Sequence, residues 1–127
     1  MVARDAGHVV NMSSVAAHHH YPGGSVYCGC KAWVDAYTNA LRCDLVATNV
    51  RVTAVAPGAV KTEEFGAVRF KGDLDAANAV YEGYDPLTAA DCADAVLYAV
   101  TRPPNCCVGE VVLWANRQAT PTLYGRR

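Results

Sequence analysis

The chain has 127 residues, 52% of them hydrophobic, and a formal net charge of −1. That length suits one domain, and the near-neutral charge leaves no electrostatic footprint for nucleic acid. Arg51 interrupts the longest apolar run well short of the roughly 20 residues of a membrane span, and Arg4 and Asp5 argue against a signal peptide, so the expected setting is cytoplasmic with no membrane partner.

Residues 7–13 read as a buried strand, His8-Val9-Val10-Asn11-Met12, ending in Ser13-Ser14. Residues 15–25 read as a loop with His18-His19-His20 and the turn Pro22-Gly23-Gly24-Ser25. Three consecutive side chains on an irregular loop diverge, and no carboxylate or thiol lies nearby in sequence, so no metal site is assigned. Residues 26–47 read as a long helix. Val34, Tyr37, Leu41 and Leu45 make an apolar stripe close to the helical period. Trp33, Ala36 and Ala40 make a second flank, open to two readings: more core, or a subunit interface.

The helix opens with the pair that carries chemistry. Tyr27 and Lys31 stand four positions apart, on the same face one turn above the other. An ammonium beside a phenol favours the phenolate, which makes a proton donor or acceptor usable near neutral pH. A serine hydroxyl at a strand end, Ser14, can polarise a substrate oxygen beside it. Ser13 is the runner-up, but adjacent strand residues face opposite ways.

A second strand runs from Val50 to Ala56, and Pro57-Gly58 stops it and turns the chain. Residues 63–86 mix charges with Gly72 and Tyr81-Glu82-Gly83-Tyr84. Thr88-Ala89-Ala90-Asp91 is a capping-box start. Ala93, Val96, Leu97 and Val100 follow on one helix face, and Pro103-Pro104 ends the helix. Residues 109–114 read as a third strand, and a polar tail follows whose role the sequence does not reveal. None of the six cysteines, Cys28, Cys30, Cys43, Cys92, Cys106 and Cys107, has Cys-x-x-Cys spacing. They read as reduced thiols acting as small apolar residues.

The order strand, helix, strand, helix, strand predicts right-handed crossovers and an α/β parallel sheet of about three strands. Ser14 and Pro57-Gly58 then lie at the carboxyl ends of neighbouring strands, where ligands bind in such sheets.

Three segments resemble the short-chain dehydrogenase/reductase family: Gly7-His8-Val9-Val10-Asn11-Met12-Ser13-Ser14, Tyr27-Cys28-Gly29-Cys30-Lys31-Ala32 and Val52-Thr53-Ala54-Val55-Ala56-Pro57-Gly58. Thr62-Glu63-Glu64-Phe65 and Val68-Arg69-Phe70-Lys71-Gly72-Asp73 are similar to a narrower branch, the NADP-dependent 3-hydroxy acid and serine dehydrogenases. The resemblance implies the C-terminal half of a doubly wound Rossmann-type sheet, with residues 1–127 as one partial domain. The half that would carry the Gly-rich phosphate-binding turn has no counterpart here, since no such turn follows a strand; Gly23-Gly24 lies inside the loop before Tyr27.

The resemblance further implies a catalytic set of Ser14, Tyr27 and Lys31, with NADP or NAD as cofactor. Tyr27, Lys31, Pro57, Gly58, Val60 and Thr62 would lie on the nicotinamide end. It makes residues 63–86 a lid in which Arg69 and Lys71 are candidates for a substrate carboxylate, Arg through a bidentate clamp. It places the loop of His18-His19-His20 beside the substrate. The implied reaction is alcohol to carbonyl, reversibly, on a small molecule such as a 3-hydroxy acid. It also implies homo- or hetero-oligomers through helix 26–47. Two readings follow: a fragment of an oxidoreductase, inactive alone, or a truncated non-catalytic paralogue that pairs with and modulates full-length subunits.

Overall fold

The computed structural model describes residues 1–62, 64, 68 and 70–127. Its strands are β1 (Gly7–Met12), β2 (Val50–Pro57) and β3 (Glu110–Leu113), and its helices α1 (Ser25–Asp44), α2 (Leu74–Ala79) and α3 (Ala89–Val100). Short 3₁₀ turns span Val2–Arg4 and Val15–Ala17. The three strands form one parallel sheet in the order β1-β2-β3. Gly7 pairs with Val50 and Met12 with Val55; Ala54 pairs with Glu110 and Pro57 with Leu113. The expected three-stranded parallel α/β sheet is therefore present. Its elements differ at the ends: β1 stops one residue early, and α1 starts at Ser25 and ends three residues before the expected 47.

The central strand holds the core, because parallel strands need both faces covered. Successive β2 side chains point to opposite faces. Arg51 reaches the end of α3, donating to Val100 O, Arg102 O and Cys106 O, while Arg42 of α1 donates to Val52 O and Gly109 O. The two helices thus cover opposite faces, so with the strands in the order β1-β2-β3 the two crossovers are of opposite hand. The expectation that both are right-handed fails for one of them. Val52 and Val55 are fully buried between the helices. Each such valine contributes about 1.5–3 kcal/mol relative to exposure. Arg51 also satisfies carbonyls that a helix C-terminus leaves without partners, with its positive charge at the favourable end.

Two expected helix faces are adjusted. On α1 the buried residues are Cys28, Asp35 and Thr38; Val34, Leu41 and Leu45 of the expected core stripe are half-buried, and its fourth member, Tyr37, is 45% exposed. Thr38 faces the sheet because its hydroxyl accepts from Asn11 Nδ2 at 2.9 Å and donates to Val34 O at 2.7 Å. The second flank is exposed as well, Trp33 at 64%, which removes its core reading. On α3 the buried residues are Ala95 and Ala99, while Ala93 and Leu97 face outward. Small side chains let that helix approach the sheet closely. The Thr88–Asp91 capping box forms as expected, with both reciprocal bonds present. Those bonds, the Thr88 hydroxyl first, hold the Asp91 carboxyl below its ordinary pKa.

Candidate active site

A cleft of about 450 Å³ opens at the carboxyl ends of β1 and β2. Ser14 and Tyr27 both line it. Ser14 leaves β1 in extended conformation and caps the Val15–Ala17 turn, its Oγ accepting from Ala16 N at 3.2 Å. The same hydroxyl lies 3.4 Å from Pro57 O, which ties the ends of β1 and β2 together. Ser13 points elsewhere: its Oγ contacts Lys31 O of α1 at 3.5 Å, and it does not line the cleft.

Tyr27 sits in the first turn of α1, and Lys31 follows one turn later. Lys31 Nζ donates to Met12 O at 2.9 Å and lies 5.8 Å from the centre of the Tyr27 ring. An ammonium carries three donors, and the β1 carbonyl fixes the direction of one. The lysine therefore stands behind the tyrosine, braced on the end of the strand that delivers Ser14.

Gly58, Ala59 and Val60 line the cleft beside them. A side chain at position 58 would run into Gln118 Oε1 and stand 3.3 Å from Leu113 O, so glycine leaves room for Gln118 to hold its place. Gln118 is buried and accepts from Ala59 N at 2.8 Å. Pro57 meets the site through its carbonyl. Thr62 is half-buried and is not among the residues lining the cleft. Arg69, the candidate for a substrate carboxylate, lies outside the described residues, and Lys71 is exposed at φ 53°.

The tail that sequence reasoning left without a role closes the cleft. Pro121, Thr122, Leu123, Tyr124 and Arg126 all line it, with Val80 and Tyr81 from the segment after α2. Arg126 donates to Ala79 O, Val80 O and Glu82 O, and Arg127 N to Gly83 O. Gly83 permits this docking: it has φ 79°, and a Cβ there would meet Arg126 Cβ at 3.1 Å. Tyr84 stacks on Tyr124 with centroids 4.6 Å apart. Burial, with Tyr124 beside it, pushes the Tyr84 phenol well above its ordinary pKa. No hydrophobic period marks this tail; main-chain bonds, Gln118, the Arg126 guanidinium and the Tyr124 ring hold it. The only sequence signal is its run of Gln, Pro, Tyr and Arg.

The histidine loop also finds partners distant in sequence. His18 Nε2 lies 2.9 Å from Asp35 Oδ2 and 2.8 Å from Glu110 Oε1. His19 meets the edge of Trp114 at 5.3 Å. None of the three histidines lines the cleft.

The residues present fit one end of a dinucleotide. The cleft joins Tyr27 to the turn after β2, with Lys31 beside it, which suits a ribose and a flat ring. The chain offers no Gly-rich turn for the phosphates. Among the described residues no helix is long and apolar enough to cross a membrane.

Comparison with known proteins places this geometry. The family model for short chain dehydrogenase matches residues 1–71. The chain is 38% identical over 116 residues to an NADP-dependent 3-hydroxy acid dehydrogenase of Schizosaccharomyces pombe, covering 91% of this chain and 44% of that protein. It is 45% identical over 111 residues to sulfoacetaldehyde reductase 2 of Chromohalobacter salexigens, covering 87% and 44%. The solved closed form of a serine dehydrogenase complexed with NADP+ superposes with a TM-score of 0.92 at 38% identity, over 100% of this chain and 51% of that one. The chain thus spans about half the length of the relatives it matches. Motif, sheet order and superposition agree, and the chain belongs to the short-chain dehydrogenase family.

Proposed function

We propose that this chain supplies the substrate half of an NADP-dependent dehydrogenase that interconverts a small alcohol and its carbonyl, with a 3-hydroxy acid or similar small anion as substrate. The observation that carries the reading is the meeting of Ser14 and Tyr27 in one cleft with Lys31 braced behind the ring. NADP rather than NAD is favoured by the relatives and the superposed structure named for it. The nicotinamide, when bound, supplies the hydride chemistry.

The chain's own residues handle orientation and the proton. Tyr27 Oη passes a proton to or from the substrate oxygen. Ser14 Oγ donates to that oxygen, turning from Pro57 O to do so. Lys31 holds a ribose hydroxyl and keeps a positive charge next to the phenol. Gly58 and Val60, which line the cleft, form the wall against the nicotinamide, with Pro57 setting the turn before them and Thr62 following outside the lining. Arg69 is assigned to the substrate carboxylate, and Arg126 adds a fixed positive charge to the cleft wall.

The test has two stages. NADPH and NADH fluorescence titrations of the chain report whether the half-site holds the nicotinamide end by itself. Saturable binding that weakens in Lys31→Ala supports it; no binding assigns the phosphate contacts to residues beyond this chain. Turnover on small 3-hydroxy acids is then measured in an enzyme containing this half and a phosphate-binding half. Tyr27→Phe should lower kcat by about 10²–10⁴-fold, the contribution typical of a positioned acid–base group. An unchanged kcat would remove Tyr27 from the mechanism.

The exposed face of α1 favours a second reading, a pairing module that docks on full-length subunits. Val26, Trp33 and Tyr37 lie on one face of that helix, exposed, with Trp33 and Tyr37 stacked 5.1 Å apart. The same face serves homo-oligomers in the first reading. A cytoplasmic setting accords with both, supported by six cysteines that are all unpaired.

A further inference from the structure

Three elements converge at a point outside the cleft. His18 comes from the turn after β1, Asp35 from the middle of α1 and Glu110 from the first residue of β3. Their donor atoms, one from each residue, lie within 4.8 Å of one another, and among the described residues they form the one such group. Asp35 is 8% exposed, and neither of its carboxylate oxygens has a hydrogen-bond partner. The His18 ring nitrogen meets hydrogen-bond geometry toward Glu110 and approaches Asp35 only as a charge contact. One nitrogen with a single proton or a single lone pair cannot satisfy two carboxylates at once. A buried carboxylate without a donor is costly unless a cation neutralises it.

We propose that His18 Nε2, Asp35 Oδ2 and Glu110 Oε1 bind one divalent transition-metal ion, with Zn²⁺ as the best match. An imidazole with two carboxylates is a donor set that selects such an ion over Mg²⁺ or Ca²⁺, which prefer all-oxygen ligands. Nitrogen and oxygen ligands sit about 2.0–2.2 Å from zinc, so donors at a tetrahedral centre stand about 3.3–3.5 Å apart. The contacts of 2.8 and 2.9 Å need to open by roughly half an ångström. The His18 and Glu110 side chains, 42% and 39% exposed, are free to make that shift and leave a solvent-facing position for water. The ion would sit behind the active face. Asp35 is one helical turn beyond Lys31, and His18 is four residues past Ser14. It pins the loop after β1, helix α1 and strand β3 to one another, a structural staple with no part in the redox step. The site stands whether or not the chain holds a nicotinamide.

The test is metal titration of the chelator-stripped chain by calorimetry, with thermal unfolding alongside. One Zn²⁺ should bind per chain and raise the unfolding midpoint. His18→Gln and Glu110→Gln, both at exposed positions, should each weaken binding by about tenfold or more and abolish the thermal shift. His20→Gln, in the same loop, should change neither. Co²⁺ substitution identifies the ligands: weak visible bands without thiolate charge transfer support the assignment. A thiolate band would place the metal on cysteines and overturn the proposal. So would the absence of stoichiometric binding, or binding that survives both variants.

Discussion

At the scale of single residues, His8 shows how a half-buried ring makes stability depend on pH. The Thr53 hydroxyl donates to Val108 O at 2.6 Å, so its 2.7 Å contact with His8 requires the N–H on His8 Nε2. Nδ1 is then the bare nitrogen, and it is buried without a hydrogen-bond partner. A second proton would sit there unpaired. Burial first, and the Arg51 guanidinium second, hold the His8 pKa below its ordinary value. Because the folded-state pKa is depressed, the unfolded chain takes up the proton first. The stability that His8 confers is therefore complete above the ordinary imidazole value of about 6.5 and is lost as pH falls through the folded-state pKa. Urea midpoints measured from about pH 7.5 down to about pH 5 should fall more steeply in the natural chain than in His8→Gln. Parallel curves would mean that other groups carry the dependence.

The elements show where side-chain size misleads. Hydrophobic periodicity located both long helices and all three strands, because Val-rich runs and the Thr88 capping box are local signals. On α1 it missed one position: Val34, Leu41 and Leu45 are half-buried on the face of Thr38, which meets Asn11, whereas Tyr37 points outward. It misplaced the face of α3 because Ala95 and Ala99 pack on the sheet while the larger Leu97 stays outside. The Ser14–Tyr27–Lys31 grouping was legible because each residue sits at an element end or in a helical turn. Gln118, Tyr124 and Arg126 were not, because contacts across the fold rather than local pattern bring them to the cleft. The same distance in sequence hid Asp35 and Glu110 from His18. The turn after β2 offers a check on this packing. Gly58→Ala should cost about 1–3 kcal/mol, as overpacking does, by driving Gln118 away from Ala59 N. A urea-derived stability within experimental error of the natural chain would show that Gln118 yields without loss.

For the whole molecule, only the central strand of the sheet is saturated. β2 is buried along nearly its full length, whereas β1 and β3 are partly exposed and, among the described residues, each pairs on one edge alone. An unpaired strand edge invites another chain, and the exposed stripe of α1 adds an apolar patch of the kind that marks contact surfaces. The isolated chain is expected to self-associate in sedimentation velocity. Trp33→Glu with Tyr37→Glu should reduce that association if α1 carries it and leave it unchanged if the β1 edge does. A monomeric natural chain would dismiss both surfaces.

The relay from His8 through Thr53 to Val108 has a kinetic meaning too. Its partners stand 45 and 55 positions apart in the chain, so every rung of this sheet closes a long loop before any contact rewards it. The helices are local and can form early; the sheet must wait for the rest of the chain. The mouth where Ser14 and Gly58 meet is thus among the last features to assemble, and a folding intermediate would carry its helices without its cleft.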